Sequence, residues 1–152
     1  MRIVETRFSV PQSPDLVWSV LIDYPSYARW NSFMRAASGE VDVGKKLTVT
    51  ISMSSGRKMS FRPKLLVVDQ HRELRWRGRL IIKSLLDGAH SWVLSRNASG
   101  GTDIVHGETF KGLLVWIIKP EELKVEFERM NRDMTAEVAR RYPARPASAA
   151  AE

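Results

Sequence analysis

Residues 87–112 constrain this chain more than any other stretch. Two alternating runs, 87–96 and 102–111, flank Asn97-Ala98-Ser99-Gly100-Gly101, whose glycines suit the positive φ of a hairpin turn. That spacing predicts two antiparallel strands joined by a five-residue turn. Strand side chains alternate with period two, so His90, Trp92 and Leu94 share one face of the first strand. Ile104, His106, Glu108 and Phe110 share one face of the second. If Arg96 pairs with Thr102, then Leu94 faces Ile104, Trp92 faces His106 and His90 faces Glu108. Two imidazoles and a carboxylate therefore stand on a face that also carries tryptophan, leucine, isoleucine and phenylalanine. A solid core excludes unpaired ionisable groups, whereas a pocket accepts them.

The rest of the chain supplies what such a hairpin packs against. Residues 2–10 alternate as a strand with Val4, Thr6, Phe8 and Val10 on one side. Ser13-Pro14-Asp15 starts a helix that runs to about Ile22, with Ser13 as its cap; a second short helix is expected over 26–29. Strands are then expected over 34–41, 46–53, 59–67 and 74–80. In the third of these, Met59, Phe61, Pro63, Leu65 and Val67 share a face, and Pro63 marks an edge or bulge. The last element is a long helix, 120–142, with Leu123, Phe127, Met130, Met134 and Val138 along one stripe. The tail, 143–152, is rich in Ala and Pro and is expected to be disordered. Sequential antiparallel strands followed by one amphipathic helix predict an α+β fold, with a curved sheet of about six to seven strands closing over that helix.

At 152 residues the chain is one domain, long enough to bury roughly 68–70% of its unfolded surface. It has no cysteine, which excludes disulfides, thiolate catalysis and zinc–thiolate sites. No run is long and apolar enough to span a bilayer, and no secretory leader is recognisable, so a cytoplasmic location is expected. The net charge is +7, which is compatible with an anionic partner.

The motifs, taken in order, resemble the START-like helix-grip superfamily (often abbreviated SRPBCC), in its polyketide cyclase/dehydrase-like branch. The resemblance rests on Ser13-Pro14 with Val17-Trp18 and Asp23, on Tyr27-x-x-Trp30-Asn31, on Phe61-x-Pro63 and on Leu74-x-Trp76-x-Gly78. It continues through Gly88-x-His90, Thr102-x-Ile104-x-His106-x-Glu108-x-Phe110-x-Gly112 and the terminal helix. It spans 1–142 and implies a helix-grip fold enclosing an elongated apolar cavity. Members bind lipids, sterols, plant hormones, quinones or polyketides, and some catalyse cyclisation and dehydration.

Two functions follow as expectations. One is binding of a small hydrophobic or amphipathic molecule in the cavity. Its ligand contacts would come from Trp30, Phe61, Trp76, His90, Trp92, His106, Glu108, Phe110, Phe127, Met130 and Met134. The other is a cofactor-free cyclase or dehydrase in which His90 and Glu108 act as acid and base. The same pair could instead be a satisfied ion pair, and His106 could simply stack on Trp92. Two histidines and a carboxylate could also form a facial triad for iron, but the resemblance implies no metal. Leu85 and Leu86 either gate the cavity mouth or pack on the long helix. Lys58, Arg62, Lys64, Arg75, Arg77 and Arg79 alternate outward and read as a solvated face. Nucleic acid is not expected as a partner, since no nucleic-acid motif accompanies that face, whereas peripheral membrane contact is compatible with it.

Overall fold

The computed structural model describes residues 1–79 and 85–144. Strand β1 (Arg2–Val10) is followed by helix α1 (Pro14–Leu21), a 3₁₀ turn at Tyr24–Ser26 and the one-turn helix α2 (Tyr27–Trp30). Then come β2 (Met34–Ser38), β3 (Thr48–Ser52), β4 (Lys58–Phe61), β5 (Lys64–Asp69) and β6 (Glu73–Arg79). The hairpin is β7 (Asp87–Arg96) and β8 (Thr102–Lys111). A 3₁₀ turn at Val115–Ile117 leads into the long helix α3 (Pro120–Arg141). All strand pairs are antiparallel, in the orders β1-β8-β7-β6-β5 and β2-β3-β4. A bridge between Lys46 and Lys64, with Leu47 N–H donating to the Pro63 carbonyl, ties the two sheets at one edge.

The hairpin forms in the expected register, Arg96 opposite Thr102 and His90 opposite Glu108. Its turn differs in one respect. Gly100 has the positive φ, +82°, whereas Gly101 is needed because a Cβ there would stand 2.4 Å from the Val10 carbonyl oxygen. The expected strand over 59–67 is two strands. Pro63 has no N–H to give a ladder, so pairing with β3 ends at Phe61 and pairing with β6 begins at Lys64. A bulge after Leu65 then shifts the inward face. Val67 lies opposite the outward Arg75, and Val68 lies opposite the buried Leu74. Ser13 sits at the N-cap of α1, but its hydroxyl makes no capping bond. Leu80 and residues 145–152 lie outside the described residues.

Helix α3 lies across the concave face. Phe127, Met130, Met134 and Val138 are all at most 1% exposed, and each such burial is worth roughly 1.5–3 kcal/mol. Polar clasps hold both ends of the helix. Near its C-terminus, Arg140 and Arg141 donate to the Glu137 carboxylate at 2.8 and 2.7 Å. Those bonds, Arg140's foremost, hold the Glu137 carboxyl down at about 2. Arg141 also reaches Asp23 and Ser26, both at 2.8 Å, which fixes the helix on the turn before α2. Toward its N-terminus, the buried Glu126 accepts from Ser54 N–H at 2.8 Å, and Arg129 donates to the Ser52 carbonyl at 2.7 Å. That second clasp grips the β3–β4 hairpin.

Candidate ligand-binding site

The two halves of α3 face different surroundings. Under Met130, Met134 and Val138 the interior is filled. Under the first turns, between the helix, the β2-β3-β4 sheet and the ends of β6, β7 and β8, a cavity of about 330 Å³ opens. Strand residues supply Ile51, Met59, Phe61, Trp76 and Phe110 to its wall, and Met53 joins them just after β3. The loop after α2 and the start of β2 add Phe33 and Met34. The connection from β8 to α3 adds Ile117 and Ile118, and the helix itself adds Leu123. Ser55, Arg57, Lys119 and Glu122 complete the polar part of the lining. Leu86 also lines the cavity and is 3% exposed, so of the two loop leucines it is the one turned inward.

On the β7–β8 side this apolar wall carries His90 and Glu108. His90 Nδ1 lies 3.5 Å from Glu108 Oε2, with side-chain exposures of 4% and 17%. Gly88 makes room for this carboxylate. A Cβ on Gly88 would stand 2.3 Å from Glu108 Oε1 and 3.3 Å from the Phe110 ring. Phe110 and Gly88 are partners in the β7–β8 register, so the missing side chain opens the wall beside Glu108.

A buried chain of polar groups stands behind the pair. His90 Nε2 is 3.0 Å from His106 Nε2, and His106 Nδ1 is 2.7 Å from Asn131 Oδ1. Asn131 Nδ2 donates to Thr6 Oγ1 at 2.8 Å, and the Thr6 hydroxyl donates to the His106 carbonyl at 3.1 Å. These directions determine the tautomers. Since the Thr6 hydroxyl spends its proton on the carbonyl, it accepts from the Asn131 amide, which turns Asn131 Oδ1 toward His106. His106 Nδ1 must then carry a proton.

Burial, and secondarily His90, push the His106 imidazole well below its ordinary range, against the bond from Asn131, so the ring is neutral. Its Nε2 is therefore a bare acceptor, and His90 Nε2 donates to it. That leaves His90 Nδ1 as the ring atom that faces Glu108 at the cavity wall. The rings are held by stacking: His90 on Trp76 at 4.9 Å, and His106 between Trp92 at 3.7 Å and Phe127 at 4.4 Å.

Of the residues singled out in the sequence, Phe61, Trp76, His90, Glu108 and Phe110 come together on the cavity wall. Trp92, His106, Phe127, Met130 and Met134 do not line it. They pack as filled core behind His90, each at most 1% exposed. Trp30 lies on α2, half-buried, with its indole N–H donating to Ser26 Oγ at 3.0 Å and its ring against Tyr27. The wall residues Phe33, Met34, Ile117 and Ile118 carried no distinguishing pattern, since they sit in or beside connections. Ile51, Met59 and Leu123 were legible as inward-facing but not as neighbours of a void. Among the described residues, no group of three or more His, Asp or Glu side chains is arranged to hold a metal ion. None of the described helices is long and apolar enough to cross a membrane.

The same architecture recurs in solved structures. Ginseng major latex-like protein 151 from Panax ginseng is similar, with a TM-score of 0.74 at 11% identity, over 90% of this chain and 96% of that one. Protein MLL2253 from Mesorhizobium loti has a TM-score of 0.72 at 15% identity, over 94% and 100%. Ara h 8.0201 has a TM-score of 0.69 at 15% identity, over 91% and 98%. At these identities the likeness is one of fold. No curated protein matches the chain in sequence. A family model described as polyketide cyclase / dehydrase and lipid transport matches residues 1–142, the whole of the strand-and-helix architecture that builds the cavity. The chain belongs to that polyketide cyclase/dehydrase and lipid-transport family.

Proposed function

We propose that the protein binds a small, largely apolar molecule in this cavity, with a polar end of the ligand meeting Glu108 and His90. The observation that carries the reading is the contrast within one wall. Its strand contributions are aliphatic and aromatic except for one polar pair, His90 and Glu108, on the β7–β8 side, while the other polar lining residues, Ser55, Arg57, Lys119 and Glu122, come from the β3–β4 turn and the start of α3. A volume of about 330 Å³ falls at the lower end of small-molecule sites, which run from about 300 to 1,000 Å³. A carbonyl or hydroxyl is the suitable polar end, because an imidazole and a carboxyl group are both hydrogen-bonding partners for it. Native mass spectrometry of the purified protein, followed by organic extraction, is expected to reveal a bound apolar species. A fluorescent apolar probe such as anilinonaphthalene sulfonate is expected to saturate one site. Glu108→Gln and Gly88→Ala should each weaken a ligand with a carbonyl end by about tenfold, the worth of one charge-assisted hydrogen bond. Absence of both a co-purifying mass and saturable probe binding rejects the reading.

A second reading has its own support. His90 and Glu108 both face the cavity, 3.5 Å apart, and an imidazole beside a carboxyl group is suited to acid–base work. The Glu108 carboxylate would take a proton from a carbon beside a ketone, and the enolate would add to a second carbonyl of the same chain. The pair would return that proton to the alkoxide so formed, then take the second proton of the same carbon and hand it to the hydroxyl, which leaves as water as the carbon–carbon double bond forms. A linear poly-ketone substrate should lose one water in the presence of the protein, and both His90→Ala and Glu108→Gln should abolish that loss.

A further inference from the structure

Next to the cavity lies an exposed surface that the ligand-binding reading uses only at Ile117. The connection from β8 to α3 exposes Leu113, Trp116 and Ile117, at 77%, 68% and 42%. Met1 and Ile3, at 73% and 56%, lie at the same end, because Arg2 stands opposite Phe110 in the sheet and its guanidinium donates to the Ile118 carbonyl. Large apolar side chains at this exposure cost solubility unless something covers them.

A row of cations lies toward the same end of the sheet. Lys46, Lys64 and Arg77 are successive neighbours across three segments of sheet, all exposed, and none pairs with an acid among the described residues. Like charges placed opposite one another destabilise a sheet, so the row is unfavourable for the isolated fold. It continues along β6 to Arg79. Arg79 and Lys111 flank Asp87 in register, and Lys111 begins the apolar connection. Asp87, Glu121 and Glu122 offset part of this charge, and Glu122 is itself engaged by Lys119 at 2.8 Å.

We infer that this end of the protein docks on the surface of an anionic lipid bilayer. Leu113, Trp116 and Ile117 enter the headgroup boundary, and Lys64, Arg77, Arg79 and Lys111 face the lipid phosphates. An indole beside aliphatic side chains and lysines is the chemistry of a membrane interface, apolar on one side and wet on the other. Charge complementarity selects the bilayer over a second copy of the chain, which would set one cationic row against another. Ile117 and Ile118 also line the cavity, so docking places its mouth against lipid, and a ligand can pass between bilayer and cavity without crossing water. That last link rests on the ligand-binding reading; the docking does not.

The test is co-sedimentation of the full chain with vesicles of phosphatidylcholine alone, and of phosphatidylcholine with roughly one-third phosphatidylglycerol, at near-physiological salt. Binding is expected to the anionic vesicles only. Leu113→Ser with Trp116→Ser should weaken it at least about tenfold, and Lys64→Glu with Arg77→Glu by a similar factor, since each surface charge is worth about fivefold. Both double variants are surface changes, and an unaltered melting temperature verifies that each folds. Several outcomes overturn the inference: no vesicle binding, equal binding to both vesicles, or anionic binding that the serine variant leaves unchanged. Concentration-dependent dimerisation that the serine variant abolishes, without vesicle binding, assigns the patch to a second copy and likewise overturns it. Vesicle binding by a protein with neither a co-purifying mass nor saturable probe binding supports the docking and rejects the cavity reading, so the two fail separately.

Discussion

His90 and His106 act as one unit, because the Asn131 bond that orients His106 decides which nitrogen His90 presents to Glu108. The pairing of His90 with Glu108 was legible in the sequence, since hairpin register and strand alternation determine it. The bond from His90 to His106 was not, although both were known to share a face. It depends on Asn131 arriving from α3 and Thr6 from β1 to turn His106 the right way. This network has a consequence for stability. The His106 ring stays neutral in the fold, while in the unfolded chain it titrates near its ordinary 6.5. Below that pH the unfolded state binds a proton that the folded state refuses. The contribution is therefore fully present above pH 6.5 and declines as the pH falls below it. His106→Phe keeps a ring between Trp92 and Phe127 but removes the titration. Urea unfolding across pH 5 to 7.5 is expected to show a shallower loss of stability with acid for the variant than for the parent chain.

Among the elements, α3 was the most readily foreseen, because its apolar stripe repeats at helical spacing and its ends carry the expected charges. Its clasps were not foreseen. Glu126 and Glu137 are 2% and 5% exposed, and a solitary glutamate beside an apolar stripe reads as solvated until its partners are known. The Glu126 clasp joins α3 to the β3–β4 hairpin, whose Ile51, Met53, Arg57 and Met59 form one side of the cavity. Glu126→Ala leaves the Ser54 amide without its acceptor and Arg129 without its ion-pair partner, at a cost of about 1–3 kcal/mol. Hydrogen exchange should report where that cost falls. Exchange at Ser54 and its neighbours on the hairpin should rise at least about tenfold, while β7 and β8 amides keep their protection. Uniform acceleration would mean that the clasp supports the whole fold rather than the hairpin.

For the whole molecule the cavity is the feature that matters, and its volume is testable by filling it. Met59→Trp places an indole into the space from the β4 side. Probe binding should fall to background with the unfolding midpoint unchanged or raised, because void is replaced by packed atoms. A midpoint lowered sharply would show that the space is narrower than described. Local patterns in the chain were enough to determine the antiparallel hairpin, its register, an irregularity at Pro63, the long helix and the class of fold. Each of these follows from side-chain period, turn chemistry or a missing N–H, all of which act between near neighbours. Which inward-facing residues border a void was decided by tertiary structure alone. Trp76 and Trp92 share the inward side of adjacent strands, yet Trp76 lines the cavity and Trp92 lies behind it under Phe127 and His106. Periodicity assigns a side chain to a face. Its depth depends on how the volumes brought by α3, β2 and the β8–α3 connection fill the space above it, and those segments are remote in sequence.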